Sequence, residues 1–271
     1  MIIKEIDSKL INTVHSELNK NGFIHLKKKI RPIYVSKFLK ILKQIYKKGV
    51  NNKGLPERDT KDLRINNLAK RHKLFCDLIS DNQIEKILIP ILNDKYYRHL
   101  PDNLPNYILG GFNGRSSGNK LDLHIDSCIP FKSDYKNAIL ILFILEEMHK
   151  DNGATIVVPK SHNSGTFTNR KTKKYKIING QPGDILIMDA RTWHGTTENL
   201  SNKSRWVITS VFYAWWMKQQ VDFTRSIPTN IFNKLTNKQK QLLGFCSIPP
   251  VSEKDRINIK CGYEILKKIK I

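Results

Sequence analysis

The chain of 271 residues contains no run of 18 apolar residues. Its longest, Ala138 to Leu145, suits a buried strand and is too short to cross a bilayer. Cysteine is scarce: Cys76, Cys128, Cys246 and Cys261 are scattered with no C-x-x-C spacing, which disfavours a zinc site or a disulfide framework. Reduced thiols are expected, with a packing role for Cys128. The opening Met-Ile-Ile-Lys-Glu-Ile-Asp7 lacks a basic region followed by a long apolar stretch. A secretory signal is therefore not expected, and a cytoplasmic location is. Acidic residues are also few, 24 against 47 Lys and Arg, for a formal charge of +23. Such a balance attracts nucleic acid, anionic membranes or acidic small molecules. Here the excess is mostly lysine and is spread over every segment of a chain also crowded with Ile and Asn, so a biased codon supply accounts for it equally well. The clusters Lys27-Lys28-Lys29, Arg170 to Lys176 and Lys267 to Lys270 lack the interleaved aromatics of a single-strand binding track. A small-molecule substrate is the expected partner, with neither nucleic acid nor membrane.

What is present is enough for one core. At 39% apolar residues the chain fits a single domain over 1–271, organised as an N-terminal helical buttress (1–104), a β-rich core (105–216) and a C-terminal tail packed on it (217–271). Ile6, Leu10, Ile11, Val14 and Leu18 mark a helix face that stops at Asn21-Gly22, and Phe23 to Leu26 reads as a short strand. Val35, Phe38, Leu39, Leu42 and Ile45 repeat the helical spacing up to Gly49. The loop Asn51 to Asp59 is expected over one opening of the barrel. Helical patterns resume at Asp62 to Ile79, with His72 on an exposed face, and at Asn82 to Leu92. From Tyr107 the texture changes to short β-rich runs: Tyr107 to Phe112, the His124 segment, Ala138 to Leu145, Thr155 to Pro159, Lys174 to Ile178, Asp184 to Met188 and Arg205 to Trp215. Separated by Gly, Asn and Pro turns, they predict a mainly β fold with flanking helices, a barrel or jelly roll without repeated βα units. The Gly110-Gly111 pair and Asn113 to Gly118 allow close backbone approach or a flexible loop before the His124 strand, and Thr236 to Gln239 reads as a capping box opening a helix that Gly244 ends.

The chemistry concentrates in two stretches, Leu121-Asp-Leu-His-Ile-Asp126 and Trp193-His-Gly-Thr196, with Arg205 eleven positions after His194. In an extended segment alternate side chains point the same way, so His124 and Asp126 project together as a two-point chelate. Asp184 to Asp189, opened by the turn Asn179 to Gly183, reads as a strand that delivers the chain to His194. If His124, Asp126 and His194 meet, two imidazoles and one carboxylate occupy one face of a metal ion and leave positions open, the geometry of non-haem Fe(II) oxygenases. Arg205 opens the next strand. A planar guanidinium facing inward there would hold a dicarboxylic acid's far carboxylate bidentately, with Val207, Thr209, Val211 and Tyr213 on the same face.

This ordered set resembles the phytanoyl-CoA dioxygenase-like family of Fe(II)/2-oxoglutarate-dependent oxygenases. The resemblance is carried by Leu123-His-Ile-Asp126, Asp151-Asn-Gly-Ala-Thr-Ile-Val-Val-Pro-Lys-Ser-His162, Pro182-Gly-Asp-Ile-Leu-Ile187, Trp193 to Asn199 and Arg205, and more loosely by Asn21-Gly-Phe-Ile24. It implies a double-stranded β-helix of the jelly-roll, cupin-like type. It further implies iron on His124, Asp126 and His194, the cosubstrate's C5 carboxylate on Arg205 with help from Thr196, and O2 as second cosubstrate; Thr209, inward on the Arg205 strand, is a further cosubstrate-binding candidate. Two departures stand out: Lys160 where such proteins often carry Gly before Ser-His, and Leu142 where some carry a tryptophan. Asp126 in place of a small residue argues for hydroxylation or a related oxidation over halogenation. Asn113, Arg115 and Lys120, on the stretch leading into His124, and Tyr213 and Arg225 are candidates for touching substrate. His162 is expected to stabilise a turn. Two rivals stay open. One is a nucleic-acid demethylase, although the second arginine of base-repairing relatives is missing after Arg205. The other is a jelly-roll binding protein without catalysis. Neither the substrate, beyond a lean to a small polar or anionic molecule, nor the oligomeric state is legible at this level.

Overall fold

The computed structural model describes residues 1–48, 63–96, 104–116, 118–169, 171–201 and 203–248. The Asn51 to Asp59 loop, Cys261, the Lys267 to Lys270 cluster and the last part of the tail lie outside these residues.

Two antiparallel sheets make the body. The larger joins β1 (Phe23–Leu26), β8 (Ile185–Asp189), β5 (Ala138–Ile144), β10 (Trp206–Tyr213), β3 (Ile108–Ser116) and β2 (Leu63–Asn66), in that order. The smaller joins β4 (Leu121–His124), β9 (His194–Thr196), β6 (Thr155–Val157) and β7 (Lys176–Ile177). The large sheet is apolar on both faces, and its alternation decides what each face does. Ile139, Ile141, Phe143, Ile185, Ile187, Ile208 and Phe212 turn outward into a cluster shared with the helices. Leu140, Leu142, Ile144, Leu186, Met188, Val207 and Val211 turn the other way, toward the smaller sheet. The outer cluster is closed by α1 (Ser8–Lys20), α2 (Pro32–Lys47), α3 (Lys73–Ile79) and α4 (Asn82–Leu92), which cover the sheet with Leu18, Phe38, Phe75 and Leu88. Each such side chain fully withdrawn from water contributes about 1.5–3 kcal/mol. These helices are therefore a lid on the back of the sheet, and the front is left for chemistry. Among the described residues no helix is long and apolar enough to cross a membrane.

Past β10 the chain runs through α5 (Phe223–Ser226), α6 (Thr229–Phe232) and α7 (Asn237–Leu242), whose Phe223, Phe232 and Leu242 join the outer cluster. The Thr236–Gln239 capping box forms, and Gly244 follows α7 with φ +91°.

Four local expectations are settled. Residues 63–66 are an edge strand paired with β3, not the start of a helix, because Ile65 finds a buried seat there. Asn67, at φ +51°, then breaks the chain before a short 3-10 turn, and His72 caps α3 by accepting the Leu74 amide at Nδ1 instead of sitting on a helix face. Of the two readings of the glycine-rich stretch, close approach is the one realised at Gly110, where a Cβ would lie 2.3 Å from the Tyr213 ring, while residues 113–116 continue β3 and form no loop. Cys128 is exposed, at φ +68°, where a packing role was expected.

Candidate metal and cosubstrate site

The two imidazoles are neighbours by register. β4 pairs with β9 so that His124 stands opposite His194, with ring centroids 4.3 Å apart. Gly195 makes this pairing possible: a Cβ there would meet the Leu121 carbonyl oxygen at 2.4 Å, so only glycine lets β9 lie this close to β4. Asp126 lies beyond the end of β4, where no ladder holds it. Its amide and that of Ser127 instead both donate to the Ala190 carbonyl, at 2.8 and 3.1 Å.

Residues 189–193 thus organise two of the three groups directly, Asp126 and His194. Ala190 fixes the backbone of Asp126, and the Thr192 carbonyl accepts from His194 Nδ1 at 2.9 Å. The turn is itself held by Thr192 Oγ1 and the Asp189 amide, both donating to the Gly22 carbonyl. Arg191, 2% exposed, is saturated: Nε and an Nη bond both oxygens of Asp189, and the other Nη bonds the carbonyls of Phe131 and Ser133. This pair pins the segment that follows Asp126, and sequence reasoning missed it. The only signal was an Asp-x-Arg spacing just before Trp193-His194.

Nδ1 of His124 is likewise bonded to the Asp122 carbonyl at 2.9 Å. With both Nδ1 atoms donating to carbonyls, both Nε2 atoms carry their lone pairs toward Asp126, the arrangement by which metal-binding histidines are oriented. Each Nε2 is 3.6 Å from one Asp126 oxygen, and the three ligand atoms lie within 4.8 Å of one another. The donor set fits a divalent metal on three adjacent positions.

Charge on these groups follows from their surroundings. Burial and the neighbouring His194 lower His124 to about 4, so its imidazole is neutral at ordinary pH. Burial opposes the charge on Asp126, but the two imidazoles facing it at 3.6 Å, His194 above all in its protonated form, outweigh burial and hold the carboxyl below its usual range. His194 is also disfavoured as a cation by burial, yet Asp126 more than compensates and raises it. Arg115 lowers the proton affinity of all three, which places its charge within reach of the cluster.

The triad opens on a cavity of about 740 Å³ between the two sheets. Arg205, 1% exposed, lines it together with Val207, Thr209 and Val211, the inward alternation expected of that strand. One Nη of Arg205 donates to the Gly153 carbonyl. Thr196 lines the same cavity and accepts the Leu121 amide at 3.1 Å, while Thr209 Oγ1 donates to the Asn113 carbonyl at 3.3 Å. A buried guanidinium and two hydroxyls on the metal's own cavity suit a dicarboxylate.

Of the substrate candidates, Asn113, Arg115 and Lys120 line the cavity. Tyr213 stands behind the wall, its hydroxyl accepting from Gln220 Nε2 at 2.9 Å and pushed up to about 12 by burial. Arg225 is exposed on α5 and does not line the cavity. Arg64 and Gln220 line it and were not anticipated. Arg64 was hidden inside a stretch read as helix. His162 bonds the Asn19 carbonyl at 3.1 Å and steadies the α1–β1 turn, away from the metal cluster. Lys160 adopts φ +65°, the left-handed backbone in which glycine is at ease, so the departure from the family pattern is absorbed in the turn before Ser161.

Comparison with known proteins gives the family and the fold. The family model described as phytanoyl-CoA dioxygenase (PhyH) matches residues 18–207. An uncharacterised protein of Mycobacterium tuberculosis, Rv1501, is 30% identical over 120 residues, 42% of this chain and 43% of that protein. Dioxygenase af480 of Aspergillus fumigatus is 24% identical over 147 residues, 52% and 48% of the two chains. The chain thus spans about half the length, or less, of these curated relatives. HygX from Streptomyces hygroscopicus, crystallised with nickel and 2-oxoglutarate, superposes with a TM-score of 0.60 at 15% identity, covering 80% of this chain and 90% of its own. The epimerase SnoN, in complex with Fe3+, alpha-ketoglutarate and nogalamycin RO, gives 0.58 at 13% identity, covering 76% and 84%. At such identities the two structures establish the jelly-roll fold. The family match covers most of the chain, from α1 through the metal cluster to the start of β10, and the chain belongs to the phytanoyl-CoA dioxygenase family.

Proposed function

We propose that this protein is an Fe(II)/2-oxoglutarate-dependent oxygenase that hydroxylates an unactivated C–H bond of a small polar or anionic metabolite. The observation that carries the reading is the convergence of His124, Asp126 and His194 within 4.8 Å, each imidazole already turned by a backbone carbonyl. Those three residues would hold the ferrous ion on one side and leave the cavity side open. Arg205 would take the C5 carboxylate of 2-oxoglutarate, with Thr196 and Thr209 bordering the same space.

When bound, iron with 2-oxoglutarate and O2 supplies an oxidant strong enough for a C–H bond, with succinate and CO2 released. The chain contributes position and dryness. Leu140, Leu142, Val207 and Val211 line the cavity with apolar surface and limit water around the reacting carbon. The paired carbonyls of Asp122 and Thr192 keep the imidazole protons on Nδ1, away from the metal. SnoN, an epimerase, shares the fold; Asp126 completes the ligand set and supports hydroxylation or a related oxidation over halogenation.

The test is succinate release from 2-oxoglutarate by purified protein under Fe(II) and O2, against pooled small metabolites. Asp126→Ala is expected to abolish it. Full activity in that variant, or no iron binding by the wild type, would refute the proposal.

A further inference from the structure

The cavity is not uniform along β10. At one end Arg205 and Val207 line it, and Arg115 faces Val207 across the ladder. At the other end Val211 faces Gly111 on β3 and Leu140 on β5, and none of these three carries a charged side chain. From position 205 to position 211 an extended strand covers about 20 Å. On the oxygenase reading, which this inference deepens and on which it rests, the charged end takes 2-oxoglutarate. The Val211 end then belongs to the second molecule.

A polar group is placed at that end by a defect in the sheet. The β3–β10 register shifts between Val211 and Phe212 and passes over Gly110, a β-bulge of the kind that re-aims groups beside a site. The Gly110 carbonyl accepts the backbone amide of Gln220 at 2.9 Å. Beside it the Gln219 carboxamide donates to the Leu109 carbonyl at 2.6 Å and to the Leu243 carbonyl at 3.3 Å, so the segment after β10 is strapped to the bulge at two successive residues. Gly111 then matters for what it lacks. A Cβ there would lie 2.4 Å from Gln220 Oε1, so the carboxamide occupies the room of the missing side chain, next to Val211. Gln220 Nε2 donates to the Tyr213 hydroxyl at 2.9 Å, which fixes the plane of the amide at the exposed mouth of the cavity. The negative charge of Asp126 acts on that hydroxyl, so this end adjoins the metal ligands.

A carboxamide held by one N–H still has a carbonyl acceptor and a second N–H donor, side by side. An anion would be repelled by the carbonyl, and an ammonium would leave the N–H unmatched. A hydroxyl accepts from one and donates to the other. Leu140 and Val211 offer apolar surface for the carbon skeleton that carries it.

We infer that the substrate is a neutral, hydroxyl-bearing molecule of the polyol or sugar class, and that Gln220 holds one of its hydroxyls at the mouth of the cavity. Arg205 serves the cosubstrate at one end and Gln220 serves the substrate at the other. Gln220 is thereby a specificity residue contributed from outside the β-rich core.

The experiment uses the full chain loaded anaerobically with Fe(II) and 2-oxoglutarate, whose visible charge-transfer band reports both. Glycerol, myo-inositol and sucrose, neutral polyols of graded size, are titrated by calorimetry beside cyclohexanecarboxylate and cyclohexylammonium. At least one polyol is expected to bind more tightly than either ion. Q220L, which keeps the size and removes both polar atoms, is expected to weaken it about three- to tenfold, the loss of one hydrogen bond. Q220E is expected to turn the preference toward cyclohexylammonium, and the band should form in both variants. If the band forms in the wild type but no polyol binds, if either ion binds better than every polyol, or if Q220L binds polyols like the wild type, the inference is overturned. Loss of the band in a folded Q220L would assign Gln220 to the metal end and also overturn it. No band in the wild type overturns the oxygenase reading, and with it the hydroxyl's status as part of a substrate. If Q220L does not fold, the switch of preference in Q220E decides alone.

Discussion

Asp184 and Asp126 each face histidine side chains, and they do opposite work. Asp184 is fully buried and saturated: it accepts the amides of Lys28 and Gln181, His25 Nε2 at 2.9 Å and Lys27 Nζ at 3.4 Å. Those donors come from the end of β1 and the turn before β8, so the carboxylate fastens two distant segments together. Asp126 faces two Nε2 atoms at 3.6 Å, too far for good hydrogen bonds, across a gap that opens on the cavity. The same side-chain types give a closed structural knot in one place and an unsatisfied ligand cage in the other. What separates them is whether backbone amides have already taken the oxygens.

Substitution should therefore split the two sites cleanly. The largest effect is expected from Asp126→Ala, which removes an anionic ligand worth several kcal/mol of charge stabilisation and should cut iron-dependent succinate release by more than about a thousandfold. Circular dichroism should find it folded. Asp184→Ala should do the reverse. Stranding its donors costs about 3–5 kcal/mol, a drop in melting temperature of roughly 6–20 °C, while iron bound per folded molecule stays near wild type. Loss of iron binding without loss of stability in that variant would erase the contrast.

Acid should also separate them. The amides of Gln181 and Lys28 and the charges of His25 and Lys27 outweigh burial and hold Asp184 below its usual range. The folded state then binds fewer protons than the unfolded one, so this stabilisation is present above the unfolded value near about 4 and is lost as pH falls through the lower folded value. At the metal cluster, His194 is raised and His124 is lowered to about 4. Metal must displace a proton from His194 but not from His124 until strong acid. Between neutral pH and about 5, iron affinity should fall with a slope of one proton, and a two-proton slope would show the imidazoles to be equivalent. The smallest effect belongs to Lys27→Ala: its ammonium is 61% exposed, and its removal should cost no more than about 1 kcal/mol by denaturant titration.

Much of the site was legible because its chemistry is local. His-x-Asp, Trp-His-Gly and the arginine at the head of a strand each declare themselves within a few residues, and alternation along β10 placed Arg205, Val207 and Thr209 on one face. The outward and inward alternation of β5 and β8 was equally readable as β-structure. What was not legible depends on pairing across the chain. Leu63 to Asn66 carries a helical-looking pattern and becomes a strand only because β3 offers an open edge, and with it Arg64 enters the cavity. Asp126 was expected to be held by strand geometry and is held by the Ala190 carbonyl, a contact no local pattern announces. The Asp189–Arg191 pair is local in sequence, yet its purpose depends on Phe131 and Ser133, which it reaches from the far side of β5.

The strand order of the larger sheet has a consequence for biosynthesis. Its first strand lies at one rim beside β8, some 160 positions later, and the strand that joins β5 to β3 is the last to be made. A ribosome must therefore release nearly four-fifths of the chain before that central gap can be filled. Until then β5, paired only with β8, and β3, paired only with β2, each keep one open edge, the circumstance in which slow folding and aggregation compete. Nascent chains cut short before Trp206 should accumulate as insoluble material.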